Sequence, residues 1–150
     1  MASSKIALLQ IVSILIGCAV FLAVSCASAV PPMAEQALDW QSVADEGVPT
    51  IVTGDPDGGE RATKLWLVVV DGEGLIRTGD SRWYQNIERD PDVVFWIGGY
   101  AYPLRAERVT DASLEKRANA AFREKYGFQD WLIHPFGEPD KNVLRLVPRE

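Results

Sequence analysis

Hydrophobic positions are distributed in two different ways along this chain. From Ile6 to Ala29 no charged side chain occurs, and only Gln10 and small or hydroxyl residues interrupt the apolar run. A helix there would have no polar face, which sets it apart from the surface helix of a globular domain. Met1 to Lys5 forms a short head with one positive charge, and Ala27-Ser28-Ala29 followed by Pro31-Pro32 ends the run. This layout predicts an N-terminal signal peptide or membrane anchor over residues 1–29. From residue 30 onward the pattern becomes mixed and periodic.

In that second part, Ala37, Trp40, Val43 and Ala44 follow a helical spacing, predicting a short packing helix between Met33 and Glu46. Residues 30–48 thus read as a linker with this helix, and 49–150 as one domain. Pro49 to Thr53 reads as a strand, followed by a turn-rich loop from Gly54 to Gly59. Thr63 to Val70 reads as one strand, turned at Asp71-Gly72-Glu73-Gly74 into a hairpin partner from Leu75 to Thr78. Asp80 or Ser81 caps a short helix that Pro91 stops. Val93 to Ile97 and Tyr102 to Val109 form a second antiparallel pair around Gly98-Gly99. Thr110 or Asp111 caps a helix carrying Leu114, Ala118, Ala121 and Phe122 on one face and ending at Tyr126-Gly127. An aromatic connection from Phe128 to Phe136 leads to a last strand, Val143 to Val147. The sum, about six strands and three helices, predicts an α+β class with a small closed or half-closed antiparallel barrel.

Composition narrows the functional classes. The net charge is −6, and the N-terminal run contributes only Lys5 to it, so no basic funnel for nucleic acid or anionic lipid exists. Both cysteines, Cys18 and Cys26, lie inside the apolar run, and His134 is the single histidine. The domain therefore has no intradomain disulfide and no cysteine-rich zinc site, and no metal is expected. Cys18 also belongs to Leu15-Ile16-Gly17-Cys18, which resembles a bacterial lipobox. Cleaved signal, retained anchor and lipoprotein are all open, and each puts the domain in an extracytoplasmic location, with membrane contact if the segment is kept or lipidated.

No nucleophile elbow, paired-histidine metal motif, Walker loop or dinucleotide fingerprint is present. What remains is a cluster: Arg61, Thr63 and Lys64 opening one strand, and Thr78, Ser81, Arg82, Trp83 and Tyr84 after the hairpin. The hairpin predicts Arg61 and Arg82 near the same end of adjacent strands. Guanidinium groups, hydroxyls and a helix start together suit a phosphate, and Trp83 or Tyr84 can cover a flat ring. The bland alternative is that the arginines are solvated and Trp83 is core. Tyr84 and Tyr102 are candidate proton donors, His134 reads as structural, and Trp131 and Phe136 either line a pocket or close a dimer contact.

The order of these motifs resembles a known group. Thr53-Gly54, Gly58, Arg61 and Leu65 follow TGxxxGxxRxxxL, and Arg82-Trp83-Tyr84-Gln85-Asn86-Ile87 with Asp90-Pro91-Asp92-Val93 follows WYxNLxxxPxV. Both are similar to the deazaflavin (F420)-dependent nitroreductase group of the pyridoxamine 5'-phosphate oxidase-like split-barrel superfamily, over about Pro49 to Pro148. The resemblance implies a six-stranded split barrel, commonly a homodimer, that binds FMN or F420 and transfers hydride to a small-molecule substrate. Arg61 would face the cofactor's phosphate end, with Thr78, Ser81, Arg82 and Trp83 on the other wall; no catalytic side chain is assigned. Asp55, Asp57 and Glu60 depart from the group's basic and hydroxyl first loop, and Lys64 replaces a proline. Carboxylates there repel phosphate, which favours an alternative, a non-catalytic exported binding module for haem, a flavin-like ligand or a protein.

Overall fold

A computed structural model describes residues 29–133 and 142–149. The expected signal or anchor helix, His134 and Phe136 lie outside the described residues, as does the side chain of Trp131. Among the described residues no helix is long and apolar enough to cross a membrane.

Seven strands form one antiparallel sheet: β1 (Thr50–Gly54), β2 (Glu60–Lys64), β3 (Leu67–Val70), β4 (Glu73–Thr78), β5 (Asp92–Ile97), β6 (Tyr100–Arg108) and β7 (Asn142–Pro148). Their spatial order is β2-β1-β5-β6-β7-β4-β3. The two edge strands, β2 and β3, are consecutive in the chain and separated only by Leu65 and Trp66, so the sheet curls until both edges reach this corner. The result is a half-barrel with two helices, α1 (Arg82–Arg89) and α2 (Ala112–Ile133).

The seventh strand corrects the sequence reading, which treats Thr63 to Val70 as one element. Leu65 turns its backbone N–H to Pro49 O at 3.1 Å, beyond the end of the β1–β2 ladder, and the chain then pairs with β4 instead of β1. An apolar run carries no mark of a change of partner, because both halves bury their side chains. The β3–β4 turn itself is as expected: Asp71 and Gly72 both have positive φ, 55° and 82°, the conformation that suits a two-residue hairpin.

Alternation along the strands separates two cores. Ile51, Leu67, Ile76, Phe95, Leu144 and Leu146 point into the barrel, where Trp83, Tyr84 and Ile87 of α1 join them. Their neighbours Val68, Leu75 and Val143 point outward and are covered by Leu114, Ala118 and Phe122 of α2. Each Val, Leu, Ile or Phe among them contributes about 1.5–3 kcal/mol on leaving water.

The segment from Met33 to Glu46 is a strap, not the expected helix. Met33 bridges Ala101 in parallel, and only Gln41–Val43 forms a single 3-10 turn. Leu38 and Trp40, two residues apart, pack on the barrel core while Ala37 is exposed, a spacing that belongs to extended chain.

The end of α2 is also more complex than expected. The helix reaches Tyr126, kinks at Gly127 (φ 47°, ψ −115°), and continues into the region expected to be a connection. Lys125 Nζ donates to Ala44 O at 2.6 Å, Glu46 O at 2.7 Å and Leu67 O at 3.0 Å, tying α2 to the strap and to β3. Burial lowers the pKa of this ammonium. Tyr126 Oη lies 2.9 Å from both Gly47 O and Leu67 O and accepts from Leu67 N, while its ring stacks on Trp66 at 4.5 Å.

Candidate functional site

The β1–β2 hairpin and the start of α1 bring most of the candidate residues to one corner. In the β1–β2 register Arg61 faces Thr53 and Thr63 faces Ile51. Thr53 and Ile51 are buried, so Arg61 and Thr63 lie on the barrel side of β2. Lys64 faces Thr50 one step further along, on the opposite side, exposed and apart from the others.

Arg82 arrives by a different route from the one its sequence position suggests. β2 and β4 are not adjacent, and it is α1, packed against β1, that carries Arg82 toward the hairpin. Ser81 caps α1, its Oγ accepting from Tyr84 N at 3.3 Å and sharing a hydrogen bond with Thr78 Oγ1 at 2.8 Å. Arg82 is exposed and, among the described residues, makes no ion pair. No acidic side chain occupies the first turn of α1. The helix start therefore presents Arg82, the Ser81 hydroxyl and its buried partner Thr78, with the Asp80 carboxylate just before the cap accepting from Gln85 Nε2 at 3.1 Å.

Between this corner and β2 stands Asp55. Arg61 donates through Nε to Asp55 Oδ1 at 3.0 Å and through Nη2 to Oδ2 at 2.8 Å, a two-pronged pair. Asn86, 1% exposed, donates Nδ2 to Asp55 Oδ1 at 2.8 Å and to Thr53 Oγ1 at 3.0 Å. Its Oδ1 accepts from Arg89 Nη2 at 2.8 Å, and that same nitrogen reaches Gly54 O at 3.0 Å. The hydrogen bonds from Arg61 and Asn86, with the charges of Arg61 and Arg82, hold the Asp55 carboxyl below its ordinary pKa.

Trp83 and Tyr84 are core residues, 8% and 6% exposed. Tyr84 Oη accepts from Arg108 Nη1 at 3.3 Å, and burial, together with a hydrogen bond to Glu88, raises the phenol's pKa. Neither ring lies open at the corner. Tyr102 instead lines a cleft of about 580 Å³ with Pro32, Met33, Glu35 and Tyr100. Among the described residues, no three metal-ligating side chains converge.

Sequence reasoning missed Asn86 as the hub and Asp55 as its partner. Both signals were present: Asn86 is the fixed polar residue of the WYxNL pattern, and Asp55 is the departure in the first loop. A repelling carboxylate and a pairing carboxylate look the same until the partner's position is known.

No family model matches the sequence, and no curated protein matches it. Solved structures do. A conserved hypothetical protein from Mycobacterium tuberculosis superposes with a TM-score of 0.58 at 23% identity, covering 79% of this chain and 86% of that one. HutZ, the heme storage protein from Vibrio cholerae, gives 0.57 at 18%, covering 73% and 87%. An FAD-binding protein from Mesorhizobium loti gives 0.54 at 11%, covering 73% and 85%. The chain has the split-barrel fold. At these identities the likeness concerns architecture alone. Among the described residues the strands number seven where the resemblance implied six.

Proposed function

We propose that this split barrel binds a flat, phosphorylated redox cofactor of the flavin or deazaflavin class and works as an oxidoreductase on a small molecule. The observation that supports it most is the α1 start, where exposed Arg82, without an ion pair among the described residues, directly follows the Ser81 cap and its hydrogen-bonded partner Thr78. Such a corner suits a phosphate dianion through charge, hydroxyl donors and the helix end together. The bound ring would supply the hydride chemistry, while the chain anchors the phosphate and orients the ring.

FMN fits this loop better than F420. Asp57 and Glu60 are exposed on the β1–β2 hairpin and repel a polyglutamate tail more than a single phosphate. The N-terminal apolar run supports an extracytoplasmic site of action, with the domain released, anchored or lipidated, and a homodimer is the assembly that the resemblance favours.

A second reading rests on the Asp55–Arg61 pair. If that carboxylate permanently occupies the cationic wall, the barrel is a non-catalytic exported binding module. Titration of the full chain in detergent micelles with FMN separates the two, following the flavin's fluorescence. The oxidoreductase reading expects saturable binding, weakened about tenfold or more in Arg82→Ala through loss of a charge-assisted hydrogen bond. Binding that is indifferent to Arg82 would contradict the phosphate corner, and no binding of FMN or F420 would favour the module.

A further inference from the structure

The Asp55–Arg61 pair has the shape of a bound ligand. The carboxylate presents two oxygens to Nε and Nη2, at 3.0 and 2.8 Å, as a phosphate monoester would. The chain's own anion thus fills the donors that a cofactor phosphate would need on Arg61. Asp55 is also held from behind, by Asn86 Nδ2 at 2.8 Å, and its backbone closes the hairpin through Asp55 N to Gly59 O at 2.7 Å and Gly58 N to Asp55 O at 3.0 Å. The pair is not sealed: the side chains are 13% exposed for Asp55 and 32% for Arg61, so a ligand can reach the guanidinium from solvent. On the far side Arg82 acts on Asp55 by charge without pairing to it.

We propose that Asp55 is an internal anion that competes with a ligand's phosphate for Arg61, and that it sets how strongly the site distinguishes a phosphorylated ring from the same ring without phosphate. Asp55 is then a specificity determinant: with it in place, Arg82, Ser81 and Thr78 carry phosphate recognition, and Arg61 is withheld. The inference rests on the cofactor reading above.

The test compares FMN with riboflavin, the same ring without the phosphate, on the full chain in micelles. Asp55→Asn keeps an oxygen for Asn86 but removes the charge. It should raise FMN affinity about tenfold relative to riboflavin, and Asp55→Asn combined with Arg61→Ala should cancel that gain. Asp55→Ala serves as a second variant and should move the ratio the same way. An unchanged or lower FMN-to-riboflavin preference in both Asp55 variants, or a gain that survives loss of Arg61, overturns the inference. If neither flavin binds wild type or variant, the cofactor reading falls, and inorganic phosphate reads the competition separately. A phosphate-dependent rise in Tm confined to the Asp55 variants then supports the competition, and its absence from all of them refutes it.

Discussion

Asn86 shows how one side chain can couple a loop to a helix. Its amide donates to Thr53 and Asp55, and its oxygen accepts from Arg89, so removing it takes a partner from all three and leaves buried Thr53 Oγ1 without this donor. Asn86→Ala should cost about 2 kcal/mol in denaturant unfolding, since an unsatisfied buried group carries a penalty of that order. An exposed polar residue would cost far less. Asp55 gives a prediction in pH. Its folded pKa lies below the unfolded value, so it contributes stability above the ordinary carboxylate value, about 3.9, that is lost as pH falls through the lowered folded value. The side-chain carbon of Asp55 should titrate below that ordinary value by NMR, and Asp55→Asn should flatten the acid limb of the stability curve. A normal titration would mean that the pair with Arg61 does not persist in solution.

At the scale of elements, close approach decides more than propensity. Gly74 on β4 lies directly under the Trp40 ring, and a methyl group there would overlap it. Gly74→Ala should therefore destabilise the domain by about 1–3 kcal/mol, as overpacking of a filled core does. Its thermal unfolding, set beside that of a Trp40→Ala/Gly74→Ala pair in which the clash is gone, would show a smaller added penalty for the glycine change once the ring is removed.

The same elements show what the sequence made legible. The Ser81 cap, the Asp71-Gly72 turn and the α2 face of Leu114, Ala118 and Phe122 were readable because their causes are local: a hydroxyl three residues before Tyr84 N, two positive φ values, a spacing of four. The strap and the β2–β3 break were not, because each depends on residues distant in sequence; the partner of Arg61, only six positions away, was not because the loop's conformation decides whether that carboxylate pairs or repels. Leu65 still bonds Pro49 O in the β1–β2 register before the chain turns to pair with β4 from Leu67, and Leu38 and Trp40 follow the barrel wall rather than a helical stripe of their own. Lys125 was assigned to no site, yet it bonds three carbonyls on two other segments.

Across the whole molecule, a curled sheet with α1 beside one edge puts a hairpin loop and a helix start at one corner, and the strap, with Tyr100 and Tyr102, at another. Candidate residues drawn from Arg61 to Tyr84 were thereby sorted: Arg61, Thr78, Ser81 and Arg82 around the corner, Thr63 on the same face of β2, Lys64 on the opposite face, Trp83 and Tyr84 in the core. The apolar N-terminal run remains the basis for proposing that this corner works beyond the cytoplasm. The most direct test of the central claim is a fluorescence titration of the full chain with FMN. Saturable binding at micromolar concentration or tighter is the predicted result, and a flat titration up to millimolar FMN would contradict it.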